Sequence, residues 1–364
     1  MIDVIERIEL IPLRIKLSKP FVISLGRIEY AENLVVRMVS SSGLEGIGEC
    51  CPFRTINGES LETALVVGEY LKEALIGQDY LQMEQNISRM DQAIYGNRSV
   101  KSAFDIALHD LCSKKAGKAL YEFLGGTGKR ELITDYTVSI GDPEEMAESA
   151  REIISRGFPA VKVKVGGTPD LDRVRISRVR EAVPWEIPLR LDANQGWTAA
   201  EAIDILSGLD GMNIEFCEEP IARWDFMNLP EVRQASQVPV MADESCCDHY
   251  DLQRLIRLNA CDYVNIKLGK SGGLHTALKM VRIAEQAGMK VQVGGFVESR
   301  LGFTASAHLA MAAATTAWCD FDTPMMLSSD PVSGGIEYLP GGRVVLPDGV
   351  GLGASLAQEN GSQL

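Results

Sequence analysis

Five charged residues occupy matching positions in successive predicted β/α units. Each follows a short β-rich run and precedes a turn, and in chain order they are Lys164, Asp192, Glu218, Asp243 and Lys267. The ends of parallel strands lie together, and in a closed barrel they surround the C-terminal mouth, where such enzymes place their sites. Five charges in phase are therefore expected to face one site.

The three carboxylates in the middle of this series predict a metal site. Asp192, Glu218 and Asp243 would repel one another strongly if they converged with no cation among them. A ligand set of oxygen atoms, without His or Cys, indicates a hard ion, and three carboxylates leave room for the water and substrate oxygens that Mg²⁺ accepts. We predict Mg²⁺ as the cofactor.

Three polar residues beside these carboxylates are expected to support the site. Glu219 and Glu244 come directly after two of the ligands and should point the other way, as groups behind the ligands or on the surface. Asn194 lies two residues past Asp192 and could face the site.

The two lysines that flank the carboxylates predict proton transfer at carbon. Lys164 and Lys267 lie four strands apart in an eight-stranded ring, so they would face each other across its mouth. Burial, a metal ion and the like charge of Lys162 would each lower the pKa of a lysine. Two bases on opposite faces of one carbon acid can invert its stereocentre, with the metal stabilising the enediolate.

The elements that must hold these residues repeat regularly after Lys129. Eight β-rich runs alternate with amphipathic helical runs, at 134–140, 160–165, 188–192, 213–218, 239–243, 262–267, 290–295 and 317–322. Eight strands close a parallel barrel, although an open doubly wound sheet would alternate in the same way. We predict the α/β class, with a (β/α)8-type (modified TIM) barrel over residues 126–324.

The remaining segments predict a second, smaller domain. Strand patterns fill the start of the chain, and helical spacing follows from Ser60 to Leu124. Strands followed by helices favour a separate α+β capping domain, which we assign to residues 1–125. The Gly- and Pro-rich stretch 325–364 contains no further β/α unit and is expected to return to this domain.

Composition limits the possible partners. The 364 residues carry a net charge of −14, which argues against nucleic acid or an anionic membrane as partner. No apolar run is long enough to span a bilayer, and the first residues lack the features of a signal peptide. Eight cysteines without disulfide-type spacing favour a cytoplasmic setting. We expect a homo-oligomer that acts on a small molecule.

Taken together, the motifs resemble the enolase superfamily, in its muconate-lactonizing subgroup. The similarity covers nearly the whole chain and is carried by KPF (19–21), GEC (48–50), ALHDL (107–111), LGG (124–126), VKVKVG (161–166), LDANQGW (191–197), EEP (218–220), ADES (242–245) and NIKLGKSGG (265–273). The resemblance implies the same Mg²⁺ ligands and the same two acid/base lysines, with Lys162 as their supporting lysine. EEP departs from many relatives, which have Gln in place of Glu219.

Members of this subgroup differ in what surrounds the shared residues, and the stretch CDFDTP (319–324) is the discriminating one. Asp320 and Asp322 would point the same way, away from the metal ring, and form a receptor for a cation. In dipeptide epimerases a matching DxD binds the free ammonium group of the substrate. The resemblance thus implies a dipeptide epimerase, an isomerase of peptidoglycan peptide metabolism. The alternative is that Asp322 only caps the turn before Pro324.

The preferred side chain of the substrate is left open. Relatives acting on Ala-Glu use an early-loop Arg, where this chain aligns Gly26, so the adjacent Arg27 would either take that role or point away. Val297 replaces the acid found in relatives that prefer cationic dipeptides, which argues against a basic side chain in the substrate. Gly26 and Val297 together would also suit a small or apolar C-terminal residue. Thr137, in a stretch that also looks like the epimerases, and Glu298 complete the predicted substrate contacts.

The predicted function is Mg²⁺-dependent inversion of the C-terminal α-carbon of L-Ala-Xaa dipeptides by two-base 1,1-proton transfer. The alternatives are an N-acylamino acid racemase, an o-succinylbenzoate synthase or a cycloisomerase of the same superfamily, whose substrates offer no cation to Asp320 and Asp322. A non-catalytic binding barrel is disfavoured because both lysines and all three carboxylates are present.

Overall fold

A long antiparallel hairpin opens the chain. In the computed structural model, which describes residues 2–357, β1 (Ile5–Ile23) pairs with β2 (Gly26–Ser40), and β2 pairs with β3 (Glu45–Cys50). Four helices follow: α1 (Leu61–Leu75), α2 (Met83–Ala93), α3 (Arg98–Lys115) and α4 (Leu120–Phe123). Glycine is needed at position 48, because a Cβ there would lie 2.2 Å from the backbone oxygen of Ala103 on α3.

The barrel follows a short strand, β4 (Leu132–Ile133). Its elements alternate along the chain: β5 (Tyr136–Val138), α5 (Pro143–Ser155), β6 (Val161–Lys164), α6 (Pro169–Ala182), β7 (Leu189–Asp192), α7 (Ala199–Ser207), β8 (Ile214–Glu218), α8 (Leu229–Ala235), β9 (Val240–Ala242), α9 (His249–Leu258), β10 (Tyr263–Lys267), α10 (Leu268–Ser271), α11 (Leu274–Gln286), β11 (Lys290–Gly294), α12 (Arg300–Ala312) and β12 (Thr316–Cys319).

The eight strands β5 to β12 form one parallel sheet in chain order. A parallel bridge joins Thr134, two residues before β5, to Cys319 at the end of β12, and so closes the sheet between its first and last strands. The predicted barrel is therefore confirmed over the open doubly wound sheet, which would leave two free edges.

Several strands end earlier than the sequence pattern predicts, although β7, β8 and β10 end at the predicted residues. β9 ends at Ala242, so Asp243 lies one residue beyond the strand. β12 ends at Cys319, so Asp320 and Asp322 lie in the following loop. The alternating pattern continues past Cys319 because Phe321 is also buried, but its backbone N–H bonds to the Thr134 hydroxyl and not to a neighbouring strand.

The C-terminal segment packs against the capping helices. β13 (Val332–Gly334) pairs with β16 (Ala354–Leu356), while β14 (Glu337–Leu339) and β15 (Arg343–Val345) join β4 in a small sheet. The Leu352 N–H donates to Asp110 on α3 at 2.7 Å. Residues 358–364 of the predicted returning segment lie outside the described residues, and the exact domain limits stay predictions.

A carboxylate of the capping domain completes a helix of the barrel. Asp105 on α3 accepts the backbone N–H groups of Leu274 and His275 at the start of α11. The residue before α11 is Gly273, where a Cβ would lie 2.2 Å from the carboxylate. The ALHDL and KSGG motifs are thus brought near each other in space, since Asp105, two residues before the first, acts as the N-terminal cap of the helix that follows the second.

Candidate active site

The alternation of β6 sends two lysines into the barrel and its valines outward. Val161 and Val163 belong to the hydrophobic core, while Lys162 and Lys164 point inward and are almost fully buried. Both ammonium groups reach the same atom, Asp192 Oδ2, at 3.0 Å from Lys162 and 2.6 Å from Lys164. The paired lysines are therefore part of an internal charge cluster.

The predicted ring of charges forms at the C-terminal mouth. The strand register places Lys164 beside Asp192 and Asp192 beside Glu218. Asp192, Glu218 and Asp243 are fully buried, and Lys267 donates to Asp243 at 2.8 Å. All five side chains thus converge, and Lys164 and Lys267 line one small cavity of about 30 Å³ from opposite sides of the ring.

The pKa of Lys267 is shifted in the direction opposite to the one predicted from burial and like charge. Burial acts to lower the pKa of Lys267, but the Asp243 and Glu218 carboxylates outweigh it and raise that pKa. Burial is likewise outweighed at Lys162, whose pKa is raised well above its ordinary value by Asp192 and Asp320. Burial and like charge alone would lower these pKa values, but the carboxylates in direct contact with the Lys162 and Lys267 ammonium groups act in the opposite direction.

The donor set fits a hard divalent cation. Three buried carboxylates at adjoining strand ends offer only oxygen, which is the chemistry of a Mg²⁺ site. Asp243 Oδ1 accepts no aligned hydrogen bond within the described residues, although the Lys270 ammonium group lies against it. Among residues 2–357, no three His, Cys, Asp or Glu side chains are close enough together to hold a metal ion as they stand. Lysine ammonium groups lie between the carboxylates of the ring, with Lys162 bound to Glu218 and Lys267 bound to Asp243. Asp192, Glu218 and Asp243 are the residues that would hold the ion.

The polar neighbours of the ring are buried behind it. Glu219 accepts the backbone N–H groups of Asp243 and Ser245, at 2.7 and 3.1 Å, and burial raises its pKa to about 7. Glu244 Oε1 accepts a hydrogen bond from Asn194, whose own oxygen accepts one from Lys164 at 2.9 Å. Of the two placements left open for Glu219 and Glu244, the surface one is wrong.

The two aspartates after β12 lie closer to the ring than predicted. Asp320 Oδ2 accepts a hydrogen bond from Lys162 at 2.7 Å, because closure of the barrel brings the eighth strand next to the first two. Asp322 Oδ2 accepts the Thr137 backbone N–H at 2.6 Å, and its side chain makes no capping bond to the following turn. Asp322 Oδ1 is buried without a partner in the described chain.

Of the remaining predicted substrate contacts, Thr137 and Val297 line the central cavity, whereas Arg27 and Glu298 do not. Thr137 and Val297 line the central cavity and also its two flanking cavities, of about 440 and 340 Å³ respectively. Arg27 lies in the outer part of the 340 Å³ cavity, is largely exposed and pairs with Glu29 at 3.0 Å. Glu298 accepts the Phe296 backbone N–H at 2.6 Å, which folds its carboxylate back beneath its own loop.

Two family models match most of the chain. Residues 7–125 match the mandelate racemase/muconate lactonizing enzyme N-terminal domain, and residues 145–360 match the enolase C-terminal domain-like family. The chain belongs to the enolase superfamily. This membership confirms the resemblance that the motifs carried.

Relatives within the superfamily are similar along their whole length. A D-Ala-D/L-Ala epimerase of Cytophaga hutchinsonii is 51% identical, over 98% of this chain and 97% of its own. The crystal structure of a dipeptide epimerase from Cytophaga hutchinsonii with Mg and D-Ala-L-Val has a TM-score of 0.97 at 50% identity, covering 98% of this chain and 97% of that chain. A substrate-liganded L-Ala-D/L-Glu epimerase of Bacillus subtilis has a TM-score of 0.94 at 37% identity, covering 98% and 100%.

Three polar residues of this enolase-superfamily site were missed by the sequence argument. Lys270 on α10 donates to the backbone oxygen atoms of Cys246 and Asn265, at 3.2 and 2.9 Å, and contacts Asp243. Asn265 and Gln292 each donate to Glu218, at 2.8 and 3.1 Å. The sequence did carry a signal for Asn265, which lies two residues before Lys267 and therefore points inward as it does. Gln292 is the partner of Asn265 on the next strand.

Proposed function

We propose that this chain is a Mg²⁺-dependent dipeptide epimerase that inverts the α-carbon of the C-terminal residue. The observation that carries the proposal is the placement of Lys164 and Lys267 on opposite sides of one small buried cavity. A single base suffices for an elimination or a cycloisomerisation, whereas inversion needs a proton donor on the face opposite the base.

The two lysines exchange roles during the reaction. One, as the neutral amine, removes the α-proton, and the other, as ammonium, delivers a proton to the opposite face. Asp243 and Glu218, the carboxylates that raise the pKa of Lys267, are among those that would hold Mg²⁺, and a bound cation would offset their effect on that pKa. Mg²⁺, when bound, supplies positive charge that favours the negative charge developing on the substrate carboxylate. Lys162 is 1% exposed, so its ammonium group adds a fixed positive charge to the same buried region.

The free oxygen of Asp322 supports a substrate with a free amino group. Asp320 and Asp322 are both buried, and only one oxygen of each accepts a hydrogen bond from Lys162 or Thr137. A substrate ammonium group would satisfy the remaining oxygens and balance their charge. An N-acyl amino acid offers no cation here, which favours the dipeptide over the N-acylamino acid racemase alternative.

The flanking cavity at Val297 favours a small or apolar C-terminal residue. Its wall includes Ile23, Leu25, Ile28 and Val297, and Arg27 is already paired with Glu29. We therefore propose dipeptides with Ala in the first position and a small or apolar residue in the second. The 51% identical relative is named for D-Ala, so both configurations of the first residue belong in the test.

We also propose a cytoplasmic homo-oligomer that acts on peptides of peptidoglycan metabolism. All eight cysteines are free thiols, as expected in a reducing compartment. Among residues 2–357, no helix combines the length and hydrophobicity that crossing a bilayer requires.

Trp224, Met227 and Tyr250 are exposed apolar side chains of the kind that a subunit interface covers. Light scattering during size-exclusion chromatography tests the oligomeric state.

A dipeptide panel in D₂O tests the function. The purified protein with Mg²⁺ is incubated with free-amino dipeptides, and deuterium uptake is read by mass spectrometry while the diastereomers are separated by chromatography. We expect one deuterium at the C-terminal α-carbon and interconversion of both diastereomers. Formation of succinylbenzoate in a parallel assay, with no dipeptide exchange, would overturn the proposal in favour of the lyase.

A further inference from the structure

A buried carboxylate of the capping domain holds a loop of the barrel. Glu49 on β3 is 1% exposed and accepts four hydrogen bonds. Its Oε1 accepts from Asn33 at 2.8 Å and from the Ser299 N–H at 3.0 Å, and its Oε2 accepts from the Ser299 hydroxyl at 2.6 Å and the Gly302 N–H at 2.8 Å. Two of these donors are backbone groups at the start of α12, so one carboxylate joins the capping sheet to a barrel helix.

The same contacts fix the middle and the end of the loop between β11 and α12. Asn33 also donates to the Val297 backbone oxygen at 3.0 Å, while Ser299, at the end of the loop, is held by Glu49 itself. Gly302 permits this approach, because a Cβ there would lie 2.8 Å from the Glu298 Cβ and 3.3 Å from the Glu49 carboxylate. The position of Val297 is therefore set by the capping domain.

This loop forms part of the wall of the reaction cavity. Phe296 and Val297 line it together with both lysines, and the Phe296 ring centre lies 5.4 Å from the Lys267 ammonium nitrogen. A displacement of the loop would change the room beside Val297 and the packing against Lys267. The carboxylates of the metal ring lie on other strands and make no contact with Glu49 among the hydrogen bonds of the described chain.

We propose that Glu49 is a positioning residue for substrate selection, acting through Asn33 and Ser299 on the loop that carries Val297. The proposal rests on the dipeptide epimerase function for its kinetic readout, and it deepens that function by naming what holds the specificity wall in place. Glu49 touches no reacting atom.

The variant Glu49→Gln tests this proposal. Gln keeps the shape but replaces one acceptor oxygen with an NH₂ group, which leaves two of the four donors facing another donor. We expect the ratio of kcat/KM between dipeptides with small and with bulky apolar C-terminal residues to fall about tenfold, as expected for a pocket that no longer holds its wall. Asp110→Asn is the matched control, because Asp110 is also buried and accepts two backbone N–H groups, but those of Ile47 and Leu352.

Hydrogen exchange provides a second readout that does not depend on turnover. Backbone amides of residues 296–302 should exchange faster in Glu49→Gln than in Asp110→Asn, with the two variants compared at equal distance below their melting temperatures. If Glu49→Gln does not fold, Asn33→Ala removes the bonds from Asn33 to Val297 and to Glu49 while the Glu49 carboxylate keeps its three other donors, and it should shift the same ratio. An unchanged ratio together with unchanged exchange would overturn the positioning role. Faster exchange with no dipeptide turned over by the wild type would instead overturn the epimerase function.

Discussion

The lysine pair predicts two half-reactions that mutation can separate. Lys164 and Lys267 lie on strands four apart, so each faces one side of the substrate carbon. In Lys164→Ala, epimerisation should fall by about 10²–10⁴-fold, the usual contribution of a proton-transfer group. One diastereomer should still exchange its α-proton slowly, and Lys267→Ala should exchange the other. Chiral chromatography with mass detection in D₂O measures both, and epimerisation at the wild-type rate by either variant would contradict a two-base reaction.

The Asp322 carboxylate predicts a pH dependence that only free-amino substrates show. Burial and the neighbouring Asp320 raise the pKa of Asp322 to about 6. Above that pH the carboxylate is charged and attracts a substrate ammonium group, and below it this attraction is lost. Between pH 7 and pH 5, kcat/KM for free-amino dipeptides should fall about tenfold relative to N-acetylated ones, whose amino group is already neutral. The relative measure cancels the titration of groups that serve both substrates.

The variant Asp322→Asn should reproduce the low-pH behaviour at every pH. A charge-assisted hydrogen bond is worth roughly 1.5–3 kcal/mol, which corresponds to one to two powers of ten in kcat/KM. Steady-state kinetics with matched free and N-acetylated dipeptides measures this loss. An equal loss for both substrates, or a wild type that prefers the N-acetylated form, would identify the chain as an N-acylamino acid racemase.

At the scale of single residues, the sequence could predict the site residues that recur at the same position of each β/α unit. Lys164, Asp192, Glu218 and Lys267 could be grouped because each ends a strand of a regular β/α repeat. Lys270 could not, because its three backbone acceptors come from two separate segments of the fold. The predicted pKa direction of Lys267 was wrong for a similar reason, because the ion pairs that outweigh burial there depend on distances that the sequence does not give.

At the scale of one element, α12 predicts a pH-dependent stability. His308 on α12 accepts the Tyr121 N–H of α4 at its Nδ1 atom and donates from Nε2 to the Leu352 oxygen, each at 3.0 Å. This tautomer is neutral, and burial lowers the pKa of His308 to about 4. Because the unfolded chain binds this proton near pH 6.5, stability is full above that pH and is lost as the pH falls toward 4.

The variant His308→Gln should remove this part of the pH dependence. Between pH 7 and pH 5, the wild type should lose about 2 kcal/mol more of its free energy of unfolding than the variant does. Urea unfolding at the two pH values measures the difference, and buried carboxylates that titrate in the same range act equally in both proteins. Parallel pH profiles of the two proteins would contradict the assignment to His308.

The limits of elements were harder to predict than their order. The eight strands were recognised because each alternates with a helix, yet Asp320 and Asp322 proved to follow β12 in a loop. Helix ends were harder still to predict, because the residues that cap them lie far away along the chain. Asp105 accepts backbone N–H groups at the start of α11, and Glu49 does the same for α12. Neither helix start can therefore be predicted from the residues around it alone.

At the scale of the whole molecule, the order of units determines the architecture, and long-range contacts determine how its parts meet. The barrel and the antiparallel sheet follow from periodicities of the sequence. The attachment of the two depends on carboxylates such as Glu49 and Asp105, which bond to backbone groups 250 and 169 residues away in the barrel. Sequence patterns do not encode the backbone partner of such a carboxylate, because any buried N–H group can donate the hydrogen bond.

The metal ring predicts that Mg²⁺ stabilises the entire fold. Asp192, Glu218 and Asp243 are fully buried, so an ion that binds them in the native state and not in the unfolded chain shifts unfolding to higher temperature. At an ion concentration one hundred times its dissociation constant, the gain is about 2.7 kcal/mol. Calorimetry with and without a chelator measures the change in melting temperature. Asp243→Asn should lose most of the shift while Asp110→Asn keeps it, because only Asp243 belongs to the ring. A shift of equal size in Asp243→Asn would place the ion elsewhere in the molecule.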